Sequence, residues 1–545
     1  MPSYTSSMTL GQTVIDPIIG GIVSRSASGA LFHHFMVEMN ARWEYLLEPV
    51  TDTHDSVRQR SPFLFATVLY CASKFSTYDS GRIVQETDPF LQSRLCSVAR
   101  NLAIRAMAEG DRSIEGIQAF YLLVCWKDPD DDISYLHTGY ASRILHDLDL
   151  EQWDGDERQA LRRRRTWLAL YRQDKQQNLF FMRKTSGSFA DEESVSRIGD
   201  ISTWIQSPHS TLLDLIACCS ADLRRIQSRL RIMVQKASPT MLPCLVEVMD
   251  TDLSKWKSAW RNHFEGKRTA PSIDNLTTIP DTMDPGMEHL NTLLGLWEHG
   301  VRLHISSAIL RQALTASVSA SIRSRGEHPN SSLDSDIPNI AEFLSTDTPG
   351  LSGSVVGALE TLRHLIAFPK NHLRNAPDAL ILLAPNAALF LCQLLCLPGT
   401  GILGSYFQKT AISLIMDITN HLKNAIQSPQ DTLTLHSAYL NSLLKLVHPG
   451  PSLCMESVEQ PTPAIPPSHD LSNERVSHYH ETATQAAYVG VNGMPESTNT
   501  DLCLSQELDL DLHMHGLANL VDIDYFWEIP PMSMDAGVGF EGRSR

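Results

Sequence analysis

Ser61–Phe75 reads SPFLFATVLYCASKF, and its apolar residues Leu64, Val68, Cys71 and Phe75 recur at the spacing that lines one face of an α-helix. Ser61 offers a hydroxyl to cap the first turn, and Pro62 suits the first helical position, where no backbone donor is needed. The same punctuation recurs outward along the chain. In Ser113–Trp126 (SIEGIQAFYLLVCW), Ser113 caps, Glu115 faces the positive end of the helix dipole, and Ile114, Ile117, Tyr121 and Val124 form the stripe before Pro129 stops it. In Ile133–Leu150 (ISYLHTGYASRILHDLDL) the stripe is Ile133, Leu136, Tyr140, Ile144 and Leu148, and Gly139 predicts close approach of a neighbouring helix. Asp156–Asn178 has a thinner stripe of Leu161, Leu168 and Tyr171 under a strongly basic face. Further helices are predicted over Thr211–Gln235, Met241–Phe264, Asp284–Thr315, Gly353–Ala367, Pro385–Leu395, Tyr406–Ile426 and Thr432–Val447. Ser321–Asp336 and Ser345–Ser352 read as loops.

Strand alternation is essentially missing, so the expected fold class is all-α: a large array of antiparallel helix pairs with a disordered acidic C-terminal tail. Three regions are expected: a flexible segment over 1–28, a helical body over 29–448, and a Pro-rich linker with an acidic, apolar tail over 449–545. The linker, PGPSLCMESVEQPTPAIPPSHDLSNE, contains six prolines, and from His478 onward no Lys or Arg occurs before Arg543.

With 45 basic against 62 acidic residues the chain carries a formal charge of −17, which disfavours sequence-independent binding of nucleic acid. The N-terminus has no basic start followed by an apolar run, so no secretory signal is expected. The most apolar stretch, Ala379–Leu397, is interrupted by Pro385-Asn386, which predicts two buried helical pieces rather than a membrane span. The ten cysteines are scattered and form no Cys-x-x-Cys pair, as small buried hydrophobes of a reducing compartment would be.

Chemistry-bearing motifs are sparse. The 21 histidines include no His-Glu-x-x-His and no pair placed among carboxylates in a ligand pattern. A nucleophile elbow and a phosphate-cradling glycine loop are also missing from the sequence, so no catalytic residue, cofactor or metal is expected. Asp128, Asp130, Asp131 and Asp132 lack the Gly and terminal Glu of a calcium loop and read as an inter-helix turn that caps the next helix. Arg162–Arg165 is weighed as an import signal or phosphate contact against a solvated helix face, and the solvated face is the simpler reading. Arg224, Arg225, Arg229, Arg231 and Lys236 form a second basic face, read the same way.

The tail is more informative. Acidic residues keep bulky apolar groups solvated and available to a partner's groove. Leu508, Leu510, Leu512, Leu520, Ile523, Tyr525, Phe526 and Trp527 are the expected anchors; the alternative is a terminal segment packed back on the body.

Four segments together resemble the middle regulatory domain of fungal zinc-cluster transcription factors. Val57–Phe75 is similar to that family's opening helix, Ser113–Trp126 to the next, and Tyr135–Leu150 to its Gly-x-Ala stretch ending Leu-x-Leu, here with Gly139. Arg162–Lys175 resembles its Arg-Arg-Thr-Trp followed by an Asp, here Arg164, Arg165, Trp167 and Asp174. The resemblance spans roughly 30–450 and is strongest before 180. Two features depart from the family. No binuclear zinc cluster precedes Leu31, the first cysteine being Cys71, and FFMRKTSGSF stands where Gly-Arg-Pro or Gly-Lys-Pro is usual.

The resemblance implies a nuclear transcription regulator that controls a gene set, answers to a metabolite among its helices, and activates through its C-terminal tail. Its expected partners are a coactivator or mediator-type protein, a DNA-binding partner protein or zinc-cluster module that makes the DNA contact, and a second copy in a homodimer. No membrane partner is expected. The rival readings are an all-helical enzyme or small-molecule carrier, and a non-activating scaffold.

Overall fold

The computed structural model describes residues 16–79, 82–128, 131, 133–148, 157–181, 201–206, 210–269, 284–325, 343–397, 404–427 and 431–447. In chain order the first elements are α1 (Arg25–His34), a π-helical segment (Phe35–Glu44), α2 (His54–Arg60), α3 (Pro62–Ser73), β1 (Thr77–Asp79), β2 (Arg82–Gln85), α4 (Pro89–Glu109) and α5 (Ile114–Cys125). Then come α6 (Ser134–Asp147), α7 (Glu157–Phe181), α8 (Ile201–Ile205), α9 (Leu212–Lys236), α10 (Leu242–Thr269) and α11 (Gly286–Arg325). The last are α12 (Leu351–Ala367), α13 (Lys370–Arg374), α14 (Asp378–Ile381), α15 (Leu383–Cys396), α16 (Gly404–Lys423) and α17 (Thr432–Val447). The fold is all-α, and neighbours in sequence pack on one another: α3 on α4, α5 on α6, α9 on α10, α11 on α12, α16 on α17.

The predicted caps form. Ser61 Oγ accepts from Leu64 N at 3.1 Å and Ser113 Oγ from Gly116 N at 3.0 Å. Thr211 and Asp214 make a reciprocal capping box at the start of α9. α3 and α5, however, are buried on nearly every side rather than along one stripe. They are inner helices, which need no polar face, so the stripes in their sequences understate their burial.

The inner face of α6 is Ala141, Ile144 and Leu145 with His137, Thr138 and Ser142, while Leu136, placed in the predicted stripe, is 52% exposed. Gly139 meets nothing within 4 Å of an added Cβ, so the expected close approach is not there. It occurs between α11 and α12 instead: a Cβ on Gly357 would lie 2.6 Å from Leu303 N.

Residues 1–15 and 448–545 lie outside the described residues, as do 326–342. The lead-in expected over 1–28 is held from Asp16 onward: Asp16 Oδ2 accepts from Arg58 Nε at 2.8 Å, Val23 is buried, and Ser24 caps α1. Of the loop expected over Ser321–Asp336, residues 321–325 are helical, in α11, and the rest lies outside the described residues. Likewise α12 starts at Leu351, inside the expected Ser345–Ser352 loop.

The apolar stretch divides at Leu382 rather than at Pro385, which sits in the first turn of α15 where proline costs no hydrogen bond. Asp378–Cys396 is long and apolar enough to cross a membrane by length and composition; in the fold it is two helices whose Ala384, Ala388, Leu391 and Leu394 join the core.

Strands were not expected, yet β1 and β2 pair antiparallel, with Tyr78 opposite Ile83 and Asp79 opposite Arg82. Three and four residues are too few to display alternation.

The junction after the π-helical segment depends on one side chain. Tyr45 takes a left-handed conformation at φ 55°, and Asn40 Oδ1 accepts from Leu46 N at 2.9 Å and Leu47 N at 2.8 Å. Its Nδ2 donates to Leu47 O at 2.8 Å, so a buried amide replaces the backbone bonds the helix gives up.

Candidate functional site

Charged groups, rare in a core, converge where α2, α5, α7 and α9 meet. Arg165, 3% exposed on α7, donates from Nε and Nη2 to Asp214 and from Nη1 to Glu48 at 2.8 Å. Burial works to raise the Asp214 carboxyl, but Arg165 and the Thr211 hydrogen bonds outweigh it and hold the group below the usual carboxylate range. One turn earlier, Arg162 faces Glu115 at 3.2 Å and Asp52 at 3.6 Å, and Arg60 reaches the same two carboxylates at 2.7 Å. Gln118 donates to Thr166 Oγ1 at 3.0 Å and accepts from Arg162, which joins α5 to α7.

A second buried group lies further along α7. Arg172 donates to Glu44 and to the Tyr121 hydroxyl, and Tyr121 donates to Glu44. Burial pushes the Glu44 carboxyl up even with Arg172 against it, while Arg172 stays charged.

These contacts correct the reading of Arg162–Arg165 as a solvated face. Arg165 is interior, the Arg162 side chain is engaged on three partners, Asp52, Glu115 and Gln118, and Arg164 lies over the Trp204 ring at 4.9 Å. Trp167 is buried and stacks on Tyr171 at 5.2 Å, and Asp174 is buried as well. The second basic face is corrected at one position: Arg224 is buried and bonds Gln227, and burial, with the Arg172 charge adding to it, lowers it to about 10. Arg225 and Arg229 are exposed and pair with Asp222 and Asp252.

Asp131 Oδ1 accepts from Ile133 N at 3.0 Å at the start of α6, while Asp128 takes Lys74 at 2.6 Å; Asp130 and Asp132 lie outside the described residues. So do all the tail anchors: Leu508, Leu510, Leu512, Leu520, Ile523, Tyr525, Phe526 and Trp527.

A cleft lined by Lys74, Trp126, Arg374, Asp378, Asp431 and Thr432 measures about 30 Å³. That is room for a water or two and far short of the roughly 300–1,000 Å³ of small-molecule sites.

Among the described cysteines, Cys244 and Cys396 are exposed and the rest are buried, all as free thiols. Cys392 thus packs as expected and Cys396 does not.

The histidines depart furthest from the sequence reading. His299, Glu360 and His364 bring ligand atoms within 4.8 Å of one another, a histidine–carboxylate grouping that the linear pattern did not reveal because α11 and α12 each contribute part. Nearly three turns before His299 on α11, His289 donates from Nε2 to Arg42 O at 3.1 Å, and burial depresses it to about 3.

No protein-family profile matches the chain, and no solved structure does. The chain is similar to Protein priB of Lentinula edodes, with 23% identity over 394 residues that cover 70% of this chain. It spans 57% of that relative's length.

Proposed function

We propose that the chain regulates transcription, its helical body serving as a regulatory domain and its acidic, apolar tail as an activator that grips a coactivator or mediator-type protein. The observation that carries the reading is the placement of the four family-like segments. Val57–Phe75, Ser113–Trp126, Tyr135–Leu150 and Arg162–Lys175 supply α3, α5, α6 and α7; α5 packs on each of the other three, and its Glu115 pairs with Arg162 of α7. Residues that resemble one family's motifs are therefore neighbours in one core. The tail composition supports the rest: Leu, Ile, Phe, Tyr and Trp spaced by acids suit a partner's hydrophobic groove. A net charge of −17 favours DNA contact through a partner protein or a zinc-cluster module. The same reading places the protein in the nucleus.

The test tethers the full chain to an unrelated DNA-binding domain and reads a reporter in nuclei. We expect activation, its loss when residues 449–545 are removed, and a reduction of roughly tenfold for Phe526→Ala with Trp527→Ala, because aromatic anchors dominate such interfaces. Full activity without the tail would refute the assignment.

A further inference from the structure

We propose that His299, Glu360 and His364 form a binding site for one divalent transition-metal ion of the zinc class, bridging α11 and α12. This inference stands apart from the transcriptional reading.

Glu360 and His364 are one helical turn apart on α12 and project from one face, as residues four apart must. His299 meets them from α11, its ring centroid 5.3 Å from that of His364. The three ligand atoms lie within 4.8 Å of one another. Donors on a tetrahedral zinc with bonds near 2.0–2.1 Å sit about 3.3 Å apart, so small side-chain rotations close the set.

Three further observations point to a ligand rather than a chance meeting of side chains. His364 Nδ1 lies 2.8 Å from Glu360 O, and since a carbonyl only accepts, Nδ1 carries the proton and Nε2 keeps its lone pair. That is the second-shell arrangement by which metal-binding histidines are oriented. His364 Nε2 occupies the space that Gly295 leaves open on α11, one turn before His299: a Cβ there would fall 2.0 Å from Nε2. Finally, His299 Nδ1 is buried and has no hydrogen-bond partner, a state that an ion would relieve.

The neighbouring charges do not block the site. Lys257 and Arg302 are both taken up by Glu298, and Arg363 pairs with Glu360 at the exposed rim, leaving the carboxylate's other oxygen for the ion. Two imidazoles and one carboxylate, with a position left for water, form a donor set that suits Zn²⁺ or Co²⁺ over Ca²⁺ or Mg²⁺.

The full-length chain, stripped with a chelator and then freed of it, is titrated with Co²⁺ and followed by visible absorption. We expect one equivalent to give the bands of a low-symmetry site, and one equivalent of Zn²⁺ to abolish them. His299→Ala, His364→Ala and Glu360→Gln should each weaken Co²⁺ binding by about ten- to a hundredfold. Gly295→Ala should do the same without removing a ligand, by displacing the His364 ring, while His289→Gln leaves binding unchanged. Circular dichroism selects the variants that keep their helices; Glu360→Gln, which preserves volume, serves if a histidine variant does not. Absence of the bands in the wild type, or wild-type affinity in the folded variants, overturns the proposal.

Discussion

Removing the Arg165 guanidinium would leave Asp214 and Glu48 as carboxylates without their shared cation in the interior. Breaking a buried pair from one side costs about 3–5 kcal/mol, so Arg165→Met should lower unfolding stability by that order in urea titrations. Adding Asp214→Asn should recover part of it, since the stranded charge is then gone. Asp214, lowered in the fold, contributes stability that is present above the ordinary carboxylate value of about 3.9 and lost as pH falls through its lower native value. His289 shifts stability in a milder pH range. It is neutral when folded, at about 3 against 6.5, so the unfolded chain takes up the proton first as pH drops. Stability should decline below about pH 6.5, by about 2 kcal/mol from this residue at pH 5. Comparing urea unfolding at pH 7.5 and pH 5 checks it: His289→Gln, which keeps a donor for Arg42 O, should shrink the difference by about 2 kcal/mol, while His304 and His372, also lowered by burial, sustain the rest.

Glycine shows how differently one residue type serves two helices. Gly357 on α12 lies against Leu303, where a Cβ would fall 2.6 Å from backbone N and 2.8 Å from Cα. Backbone cannot swing aside, so Gly357→Ala should cost about 1–3 kcal/mol as α11 and α12 are forced apart. Gly139→Ala, with open space around it, should instead stabilise α6 by about 0.5–1 kcal/mol. Thermal melts of the two variants should move in opposite directions. Three capped starts were readable in advance, since Ser61, Ser113 and Thr211 open α3, α5 and α9 where expected, whereas α1 and α2 were not expected although Ser24 and Thr53 cap them. α4 was not expected, although Asp88-Pro89 starts it and Gly110, at φ 66°, stops it. Its buried set of Leu95, Cys96, Val98, Ala99 and Leu102 is small and mixed, a weak periodic signal.

For the chain as a whole, the proposed function requires that the tail keep its leucines and aromatics for a partner and so contribute nothing to the body's stability. A chain ending at His448 should therefore unfold at the same urea midpoint as the full chain. A lower midpoint would indicate that those side chains pack on the body. The sequence by itself determined the helical class, most helix starts and the anionic, aromatic tail, because periodicity, caps and composition act within a few residues of themselves. Only the tertiary structure decided that Arg165 is buried among carboxylates and that Arg162 is half-buried and ion-paired rather than on a wetted face. The carboxylates that answer them come from three separate segments: Glu48 and Asp52 before α2, Glu115 on α5 and Asp214 on α9. The same holds for His299 with Glu360 and His364: a helix specifies which way its own side chains face, but what they meet depends on long-range packing that no local pattern encodes.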